Sequence, residues 1–178
     1  MKNPLWSYLF SPPREKRTLL ELLKLLPMFE GLNQQELIQI SRALHERKYH
    51  KGETVFKENE PGAGMYIIEK GEIAIIKELQ GDNSITLAIL KEKSFFGELA
   101  LLDEIPRSAS AAVEKDAILL GFCKPDLEKL IERNPRLGAK ILSNLARLIC
   151  RRLLQANANM EQMQNDLNEF KRVRDHGG

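Results

Sequence analysis

The chain has 178 residues, a formal net charge of +2 and 29% charged residues, a balance typical of a soluble globular protein. Charges of both signs are interleaved along the chain, so the charge pattern does not indicate a nucleic-acid partner. The two cysteines, Cys123 and Cys150, lie in apolar runs without the spacing of metal ligands. We therefore expect two buried free thiols in a reducing compartment, no metal site and no Cys/His nucleophile.

The N-terminus carries a short aromatic segment, residues 1–13, that ends in a Pro-Pro pair. Its apolar run is too short for a signal peptide or a membrane span, and the rest of the chain also lacks an apolar stretch of spanning length. We expect the segment to pack against the domain that follows, with a membrane surface or a partner as the alternatives. No transmembrane segment is predicted.

Two helices are predicted at the start of a domain that covers residues 14–133. The first begins near Arg14, has a wide leucine face and stops at Pro27. Asn33, with Glu36 three residues later, has the pattern of a capping box and opens the second helix. The second helix is predicted to carry Leu37, Ile40 and Leu44.

Between Tyr49 and Phe122 the pattern changes to short runs rich in Val, Ile, Tyr and Phe, with apolar and polar residues alternating. This period of two is typical of antiparallel strands, and about seven or eight of them fit here. The predicted turns lie at Gly52, Pro61-Gly62, Gly71 and Gly81-Asp82. We predict a mainly β fold, a double-stranded β-helix (jelly roll) with N-terminal helices and a long C-terminal helix that forms a coiled coil.

Helix is predicted again over Asp126–Ile131 and then, far longer, from the Asn134-Pro135 pair onward. Asn at the cap and Pro at the first helical position are a typical helix start. At 1.5 Å per residue the long helix could reach about 60 Å, more than a small domain can cover. We assign residues 134–178 to a lid helix that continues into a dimerisation coiled coil.

The long helix has apolar residues spaced by three and four positions, which approximates the heptad seam of a coiled coil. The seam positions are Leu145, Ile149, Leu153, Ala156, Met160, Met163, Leu167 and Phe170. The first half is expected to lie on the roll through Leu137, Ile141, Leu142, Leu148 and Leu154. Since no remaining chain could cover the second half, we predict a parallel homodimer through this helix.

The stretch from Phe95 to Ser110 has the parts of an anion site. Gly97 allows the backbone to approach a ligand closely, and residues 98–102 can form one helical turn with free N–H groups. Such a turn favours a phosphate group. Arg107 can add a bidentate, charge-assisted hydrogen bond to the same group.

Glu98 does not fit a phosphate contact, because the two negative charges would repel each other. We expect its carboxylate either to accept a hydrogen bond from a ribose hydroxyl or to pair with Arg107. An ordinary loop with a surface ion pair is the alternative reading of these two residues. Their combination with Gly97, the apolar run 99–102 and the sequence Pro-Arg-Ser-Ala at 106–109 is much more specific than that alternative.

These residues resemble the cyclic nucleotide-binding domain family, which includes the bacterial catabolite activator protein, the regulatory subunits of cAMP-dependent protein kinase and nucleotide-gated channels. The match is to residues 96–101 followed by 106–110, and the resemblance covers roughly residues 14–155. Outside the motif it extends to the segments 27–32, 52–56, 61–62, 65–68 and 71–73.

The resemblance implies a role for each matching residue. Glu98, next to Gly97, would bind the ribose 2′-hydroxyl, and Arg107 would pair with the cyclic phosphate. Backbone N–H groups of Leu99, Ala100, Ser108 and Ala109 would complete the phosphate cradle. The base would lie against Ile75, Leu87 and Leu90, and the long helix would close over it with Arg147, Arg151, Arg152 or Asn157 as the contacting residue.

Two positions differ from the family pattern. Lys93-Ser94 stands where the family has a Gly-Asp type turn, and a lysine is strained there if the turn needs a positive φ. Ser108 stands where a threonine often accompanies cGMP preference. The resemblance therefore implies cAMP as the ligand, with cGMP possible.

We interpret the chain as a cyclic nucleotide sensor, not an enzyme, that signals to a separate effector protein through its C-terminal helix. One alternative is a fragment of a catabolite-activator-like transcription regulator. That alternative needs a helix-turn-helix after the lid helix, and Lys171, Arg172 and Arg174 are too few to read DNA, so no DNA binding is expected of this chain alone. The other alternative is a dimeric scaffold with a non-binding pocket.

Overall fold

The computed structural model describes residues 16–79 and 83–176. The predicted aromatic segment 1–13 and the predicted turn at Gly81-Asp82 lie outside these ranges. Among the seam positions, the side chains of Leu167 and Phe170 are also outside the description, as are those of the three basic residues at 171, 172 and 174.

Three short helices precede the sheet. Helix α1 spans Lys16–Lys24, a 3₁₀ helix spans Pro27–Phe29, and helix α2 spans Gln34–Arg42. The predicted capping box is confirmed. The Asn33 side chain accepts a hydrogen bond from the Glu36 backbone N–H at 3.0 Å, and the Glu36 carboxylate accepts one from the Asn33 N–H at 2.8 Å.

The prediction that α2 reaches Leu44 is wrong. The helix ends at Arg42, and Leu44 is the first residue of a strand whose partner is Phe122. Leu44 falls on the apolar period of the helix and would also fit the start of a strand. A pairing partner 78 residues away decides between the two, and local periodicity does not contain that information.

The strands form one antiparallel sheet with the order β1-β6-β3-β4, in which β2 also pairs with β6 and β5 with β3. Their bounds are β1 Leu44–Tyr49, β2 Thr54–Phe56, β3 Gly64–Glu78, β4 Ser84–Leu90, β5 Phe95–Phe96 and β6 Ser110–Cys123. This is the mainly β, jelly-roll-like architecture that the sequence predicts. The described part of the chain has six strands, fewer than the predicted seven or eight, because β3 and β6 are each one long strand of 15 and 14 residues.

Gly71 is a bend within β3, where a turn between two strands was predicted. Its φ is 98°, and the pairing of β3 with β6 shifts register on both sides of it. A Cβ atom at this position would lie 2.5 Å from the backbone oxygen of Asp116 on β6. Glycine therefore lets the long strand curve around its neighbour without ending.

Two apolar clusters fill the domain. The first joins the helices to one end of the sheet and includes Phe29, Leu37 and Phe122, each at most 1% exposed. The second lies inside the roll around Ile68, Ile73, Phe96 and Leu119. Phe96 in β5 directly precedes the loop predicted to bind phosphate, so this second cluster supports the candidate site.

Helix α3 spans Lys124–Arg133 and helix α4 spans Pro135–His176. As predicted, Asn134 caps α4, because its side-chain oxygen accepts a hydrogen bond from the Leu137 N–H at 3.2 Å. The first third of α4 packs on the domain. Leu137, Ile141 and Leu145 are fully buried, and the Asn144 amide donates to the Met28 and Glu30 carbonyls at 3.1 and 2.9 Å.

Beyond this contact region α4 projects from the domain, and its apolar residues are exposed. Leu153, Met160 and Met163 are 59%, 61% and 70% exposed. Two details of the prediction are wrong. Leu142 and Leu154 were expected on the roll, but they are 37% and 68% exposed. Leu142 lies about 100° around the helix from the buried Ile141, and Leu154 lies about 200° from Arg152, which faces the site. The coiled coil itself stays a prediction. The expectation that both cysteines are buried is wrong, because Cys150 is exposed on α4 and Cys123 is partly exposed at the end of β6.

Lys93, in the turn between β4 and β5, has a φ of 68°. The anticipated strain is therefore present, since a lysine Cβ is disfavoured in this left-handed region. The turn is held in place by two hydrogen bonds with β3, one from the Lys93 N–H to the Ile68 carbonyl at 3.0 Å and one from the Ile68 N–H to the Ser94 carbonyl at 2.9 Å.

Lys93→Gly should raise the free energy of unfolding by about 0.5 kcal/mol, measured by urea denaturation. Glycine removes about 1–2 kcal/mol of left-handed strain, and this gain exceeds the roughly 0.4–1 kcal/mol of extra flexibility in the unfolded chain. Asn59→Gly is the matched control, because Asn59 has a similar φ of 66° but asparagine tolerates that conformation. Equal effects at the two positions would contradict the strain at Lys93.

Candidate functional site

A cavity of about 270 Å³ opens beside the segment between β5 and β6. Gly97 begins this segment, a 3₁₀ helix spans Glu98–Leu101, and an extended stretch leads through Arg107 into β6. The residues that line the cavity are Phe56, Ile75, Leu90, Phe95, Phe96, Gly97, Glu98, Leu99, Ala100, Ile105, Pro106, Arg107, Ser108, Ala109 and Arg152. We call it the front cavity.

Gly97 is required by both its conformation and its surroundings. Its φ is 76°, in the left-handed region. A Cβ atom at this position would lie 2.6 Å from Nη1 of Arg107. Any other residue would push the guanidinium away, so the glycine allows Arg107 to lie directly against the backbone.

Arg107 is a buried cation, only 8% exposed. Its Nη1 donates to the Gly64 carbonyl at 2.8 Å and to the Gly97 carbonyl at 3.3 Å, and the guanidinium lies 4.1 Å from the centre of the Phe56 ring. Within the described residues it forms no ion pair with a carboxylate, and its Nε has no hydrogen-bond partner. Burial lowers the pKa of the guanidinium, but the group stays charged at neutral pH. A buried, unpaired cation at a cavity wall favours an anionic ligand.

The loop after β2 holds the backbone on both sides of this arginine. The Arg107 N–H donates to the Glu60 carbonyl at 2.8 Å, and the Asn59 N–H donates to the Arg107 carbonyl at 2.9 Å. Lys77 on β3 donates to the Ser108 carbonyl at 2.9 Å and pairs with Glu58. These contacts fix where the guanidinium points.

Sequence reasoning missed Phe56, Glu58 and Lys77. Glu58 and Lys77 are separated by 19 residues, and they meet only because the loop after β2 crosses the end of β3. The interleaved charges along the chain carry no signal for this pair. Phe56 belongs to a short strand that was recognised, but its position over the guanidinium depends on the tertiary fold.

Glu98 is buried, with a side chain only 4% exposed, and forms a short ion pair with Arg152 of α4. Of the two expected partners of Glu98, Arg107 is therefore wrong, since it bonds to backbone carbonyls, and the ribose hydroxyl stays a prediction. The Arg152 guanidinium also lies 5.4 Å from the centre of the Phe95 ring. The helix therefore contacts the loop at the carboxylate that was predicted to bind ribose.

The structure brings most of the predicted site residues to one cavity. Seven form the loop itself, and Ile75 and Leu90 line the adjacent strands. Ala100 lines the cavity, but its N–H donates to the Gly97 carbonyl at 3.2 Å, which leaves less capacity for a phosphate. Of the four lid candidates, only Arg152 reaches the cavity, whereas Arg147 donates to the Asn144 side chain at 2.6 Å.

Arg151 and Asn157 are exposed on α4 and do not line the front cavity, and neither does Leu87. Leu87 is 55% exposed. It lies at a register shift in the pairing of β3 with β4, where Ala88 is opposite Ile75 and Thr86 is opposite Ile76. The predicted place of Leu87 beside Leu90 is wrong, because side chains three positions apart in a strand point to opposite faces of the sheet.

No group of acidic, histidine or cysteine side chains suited to a metal ion occurs in the described ranges. None of the helices in those ranges is long and apolar enough to cross a membrane.

The Glu98–Arg152 pair should contribute about 1 kcal/mol to stability in the absence of nucleotide, because the carboxylate is buried but half of the arginine side chain is exposed. A double-mutant cycle with Glu98→Gln and Arg152→Gln, followed by urea denaturation, measures this coupling. Arg151→Gln is the matched control and should show no coupling to Glu98→Gln. Equal coupling free energies for Arg152 and Arg151 would show that Glu98 responds to the positive charge of the helix in general and not to this one ion pair.

Comparison with known proteins places these features in a family. The family described as "Cyclic nucleotide-binding domain" matches residues 46–134, half of the chain. The cyclic AMP receptor protein of Thermus thermophilus is 33% identical over 135 residues, which cover 76% of this chain and 61% of that protein.

Solved structures give the same result. The crystal structure of the Thermus thermophilus catabolite activator protein superposes with a TM-score of 0.71 at 33% identity, over 78% of this chain and 63% of that one. A structure of cAMP-bound PfPKA-R (141–441) superposes with a TM-score of 0.62 at 29% identity, over 67% of this chain and 42% of that one. The chain thus spans about three fifths of the length of the bacterial receptor. It belongs to the cyclic nucleotide-binding domain family.

Proposed function

We propose that this protein is a cyclic nucleotide sensor whose ligand is cAMP. The observation that carries the proposal is the buried guanidinium of Arg107, which borders a cavity and has no carboxylate partner among the described residues. A cyclic phosphate supplies the missing negative charge and can accept bidentate hydrogen bonds. The cAMP bound in the PfPKA-R structure supports the same ligand class.

The rest of the ligand follows from the cavity walls. With the phosphate at Arg107 and at the backbone of Ser108 and Ala109, the ribose lies toward Glu98 and the base toward Ile75 and Leu90. The Glu98 carboxylate then accepts a hydrogen bond from the 2′-hydroxyl. Arg152 occupies that carboxylate in the structure described here, so the nucleotide and α4 meet at the same side chain.

The contact of Glu98 with both α4 and the nucleotide gives the nucleotide a way to act on α4. If the affinity of the ligand for Glu98 differs between two positions of α4, binding shifts the population toward the position with the higher affinity. The first third of α4 is fixed in the apolar core, whereas residues 150–166 of the helix are exposed. A change at Arg152 is therefore transmitted along the projecting part of the helix.

We further propose that the projecting part of α4 pairs with a second copy of the chain and that the pair acts on a separate effector protein. Leu153, Met160 and Met163 are exposed at spacings that suit such a seam. The free thiols of Cys123 and Cys150 fit a cytoplasmic location.

One alternative has specific support. Since the chain spans about three fifths of the bacterial receptor's length, it could form the sensing part of a longer regulator, with its output in the same polypeptide. The intact mass of the protein isolated from its source decides between an internal and a separate output.

Calorimetric titration of nucleotide-free protein with cAMP should show saturable binding, and cGMP should bind more weakly. Arg107→Ala should weaken cAMP binding by about 2–5 kcal/mol, because it removes the charge that pairs with the phosphate. Arg136→Ala, at an exposed arginine of α4 outside the cavity, is the control and should bind like the original protein.

Circular dichroism would establish that both variants are folded. No heat with either nucleotide in the folded original protein would reject the sensor and favour a scaffold with a non-binding pocket. Unchanged binding in Arg107→Ala would reject the assigned phosphate contact.

Met160→Lys combined with Met163→Lys should convert a dimer into a monomer in sedimentation equilibrium, because the two charges would lie in the apolar seam. Gln162→Lys with Asn165→Lys adds the same charge at the same spacing on the opposite side of the helix and should leave the dimer intact. If the original protein sediments as a monomer, or if both pairs act alike, the seam assignment fails.

A further inference from the structure

A second cavity of about 270 Å³ lies on the other side of Arg107. Its walls come from β1, β3 and β6, where strand register places His45 opposite Gly121 and Gly121 opposite Tyr66. Cys123, opposite Gly64 in the next row, closes one end. We call it the rear cavity. No local sequence pattern marks this cavity, because residues from three distant strands line it.

Gly121 lies in the wall of this cavity. A Cβ atom there would lie 3.6 Å from the His45 carbonyl oxygen and 3.6 Å from the Tyr66 ring, which is ordinary contact. A larger side chain would occupy the gap between these two residues. The glycine therefore leaves room for a ligand.

The lining of the rear cavity is positively charged. Among the residues that the structure describes, the cavity is lined by Arg47 and Arg107 and by no acidic residue. The carboxylate next to it, Asp126, already accepts a hydrogen bond from the His45 ring at 2.8 Å. Met65 and Tyr66 add apolar wall. Two guanidinium groups beside an apolar surface suit a small carboxylate that has a hydrocarbon body.

Arg107 borders both cavities. Its Nη1 bridges the Gly64 carbonyl on the rear side and the Gly97 carbonyl on the front side, at 2.8 and 3.3 Å. Its Nε is buried and has no hydrogen-bond partner in the described structure. One cation thus faces two spaces, with unused hydrogen-bonding capacity.

We propose that the rear cavity is a second ligand site, that it binds a small organic carboxylate, and that this ligand opposes nucleotide binding through Arg107. An anion behind the guanidinium offsets part of the positive charge that the cyclic phosphate uses, and the two anions repel each other across a buried group. By linkage, bound nucleotide lowers the affinity of the rear cavity for the carboxylate ligand by the same factor. The site itself stands without the proposed function, whereas the antagonism rests on it.

Cys123 provides a direct probe of the rear cavity. Iodoacetate carries a carboxylate, whereas iodoacetamide has nearly the same shape without the charge, and both alkylate a thiol with loss of iodide. The ratio of their rates at one cysteine cancels the degree of ionisation of that thiol. Mass spectrometry of peptides gives this ratio separately for Cys123 and for the exposed Cys150.

We expect the iodoacetate-to-iodoacetamide ratio at Cys123 to exceed that at Cys150 on the order of tenfold, equivalent to about 1.4 kcal/mol of attraction for the carboxylate. Cys150 is a stringent reference, because Arg147 and Arg151 lie near it on the helix. Arg47→Gln should lower the ratio at Cys123 and leave that at Cys150 unchanged. A ratio at Cys123 equal to or below that at Cys150 would overturn the site.

The antagonism is tested with the same chemistry in a Cys150→Ser background, where only Cys123 reacts. Carboxymethylation places a carboxylate in the rear cavity, and carbamidomethylation places a neutral group of similar size. The carboxymethylated protein should bind cAMP on the order of tenfold more weakly than the carbamidomethylated protein. Equal affinities would overturn the antagonism.

A failure of the carboxylate site can be distinguished from a failure of the sensor proposal. If neither modified nor unmodified protein binds a cyclic nucleotide, the sensor function and the antagonism fail together, while the alkylation ratios still decide whether the rear cavity attracts carboxylates.

Discussion

The burial of one guanidinium without a matching carboxylate governs the architecture of the site. A charge in this position is unfavourable unless dipoles or a ligand compensate it. The protein supplies the dipoles of the Gly64 and Gly97 carbonyls and the face of Phe56. Gly97 has no side chain because the arginine fills that volume. The loop after β2 holds the arginine backbone in place. Each of these features follows from the need to keep a cation buried and still accessible to an anion.

The parts of this site that were predictable are those that lie within one continuous segment. Gly97, Glu98 and Arg107 fall within eleven residues, and the capping box at Asn33 and Glu36 is equally local. Residue type and spacing carry the chemistry in such cases. The αL conformation at Lys93 was also accessible, because it follows from the turn that the motif requires.

What could not be predicted depends on register between distant segments. Arg151 and Arg152 differ by about 100° around one helix, so only the packing of α4 shows which of them meets Glu98. Leu44 belongs to a strand because Phe122 pairs with it. No local pattern contains these relations.

The arrangement also connects ligand occupancy with stability. A ligand present at a hundred times its Kd stabilises the folded state by about 2.7 kcal/mol. A hydrogen bond to a charged group contributes about 1.5–3 kcal/mol, which is of the same size. The Nε of Arg107 has no hydrogen-bond partner in the described structure, and Glu98 pairs with Arg152 of α4. These are the two places where a bound nucleotide would add or replace a contact of a charged group. In the proposed mode of binding, Arg107 gains a partner and Glu98 exchanges Arg152 for the ribose, so the nucleotide would act on the loop and on α4 in a single event.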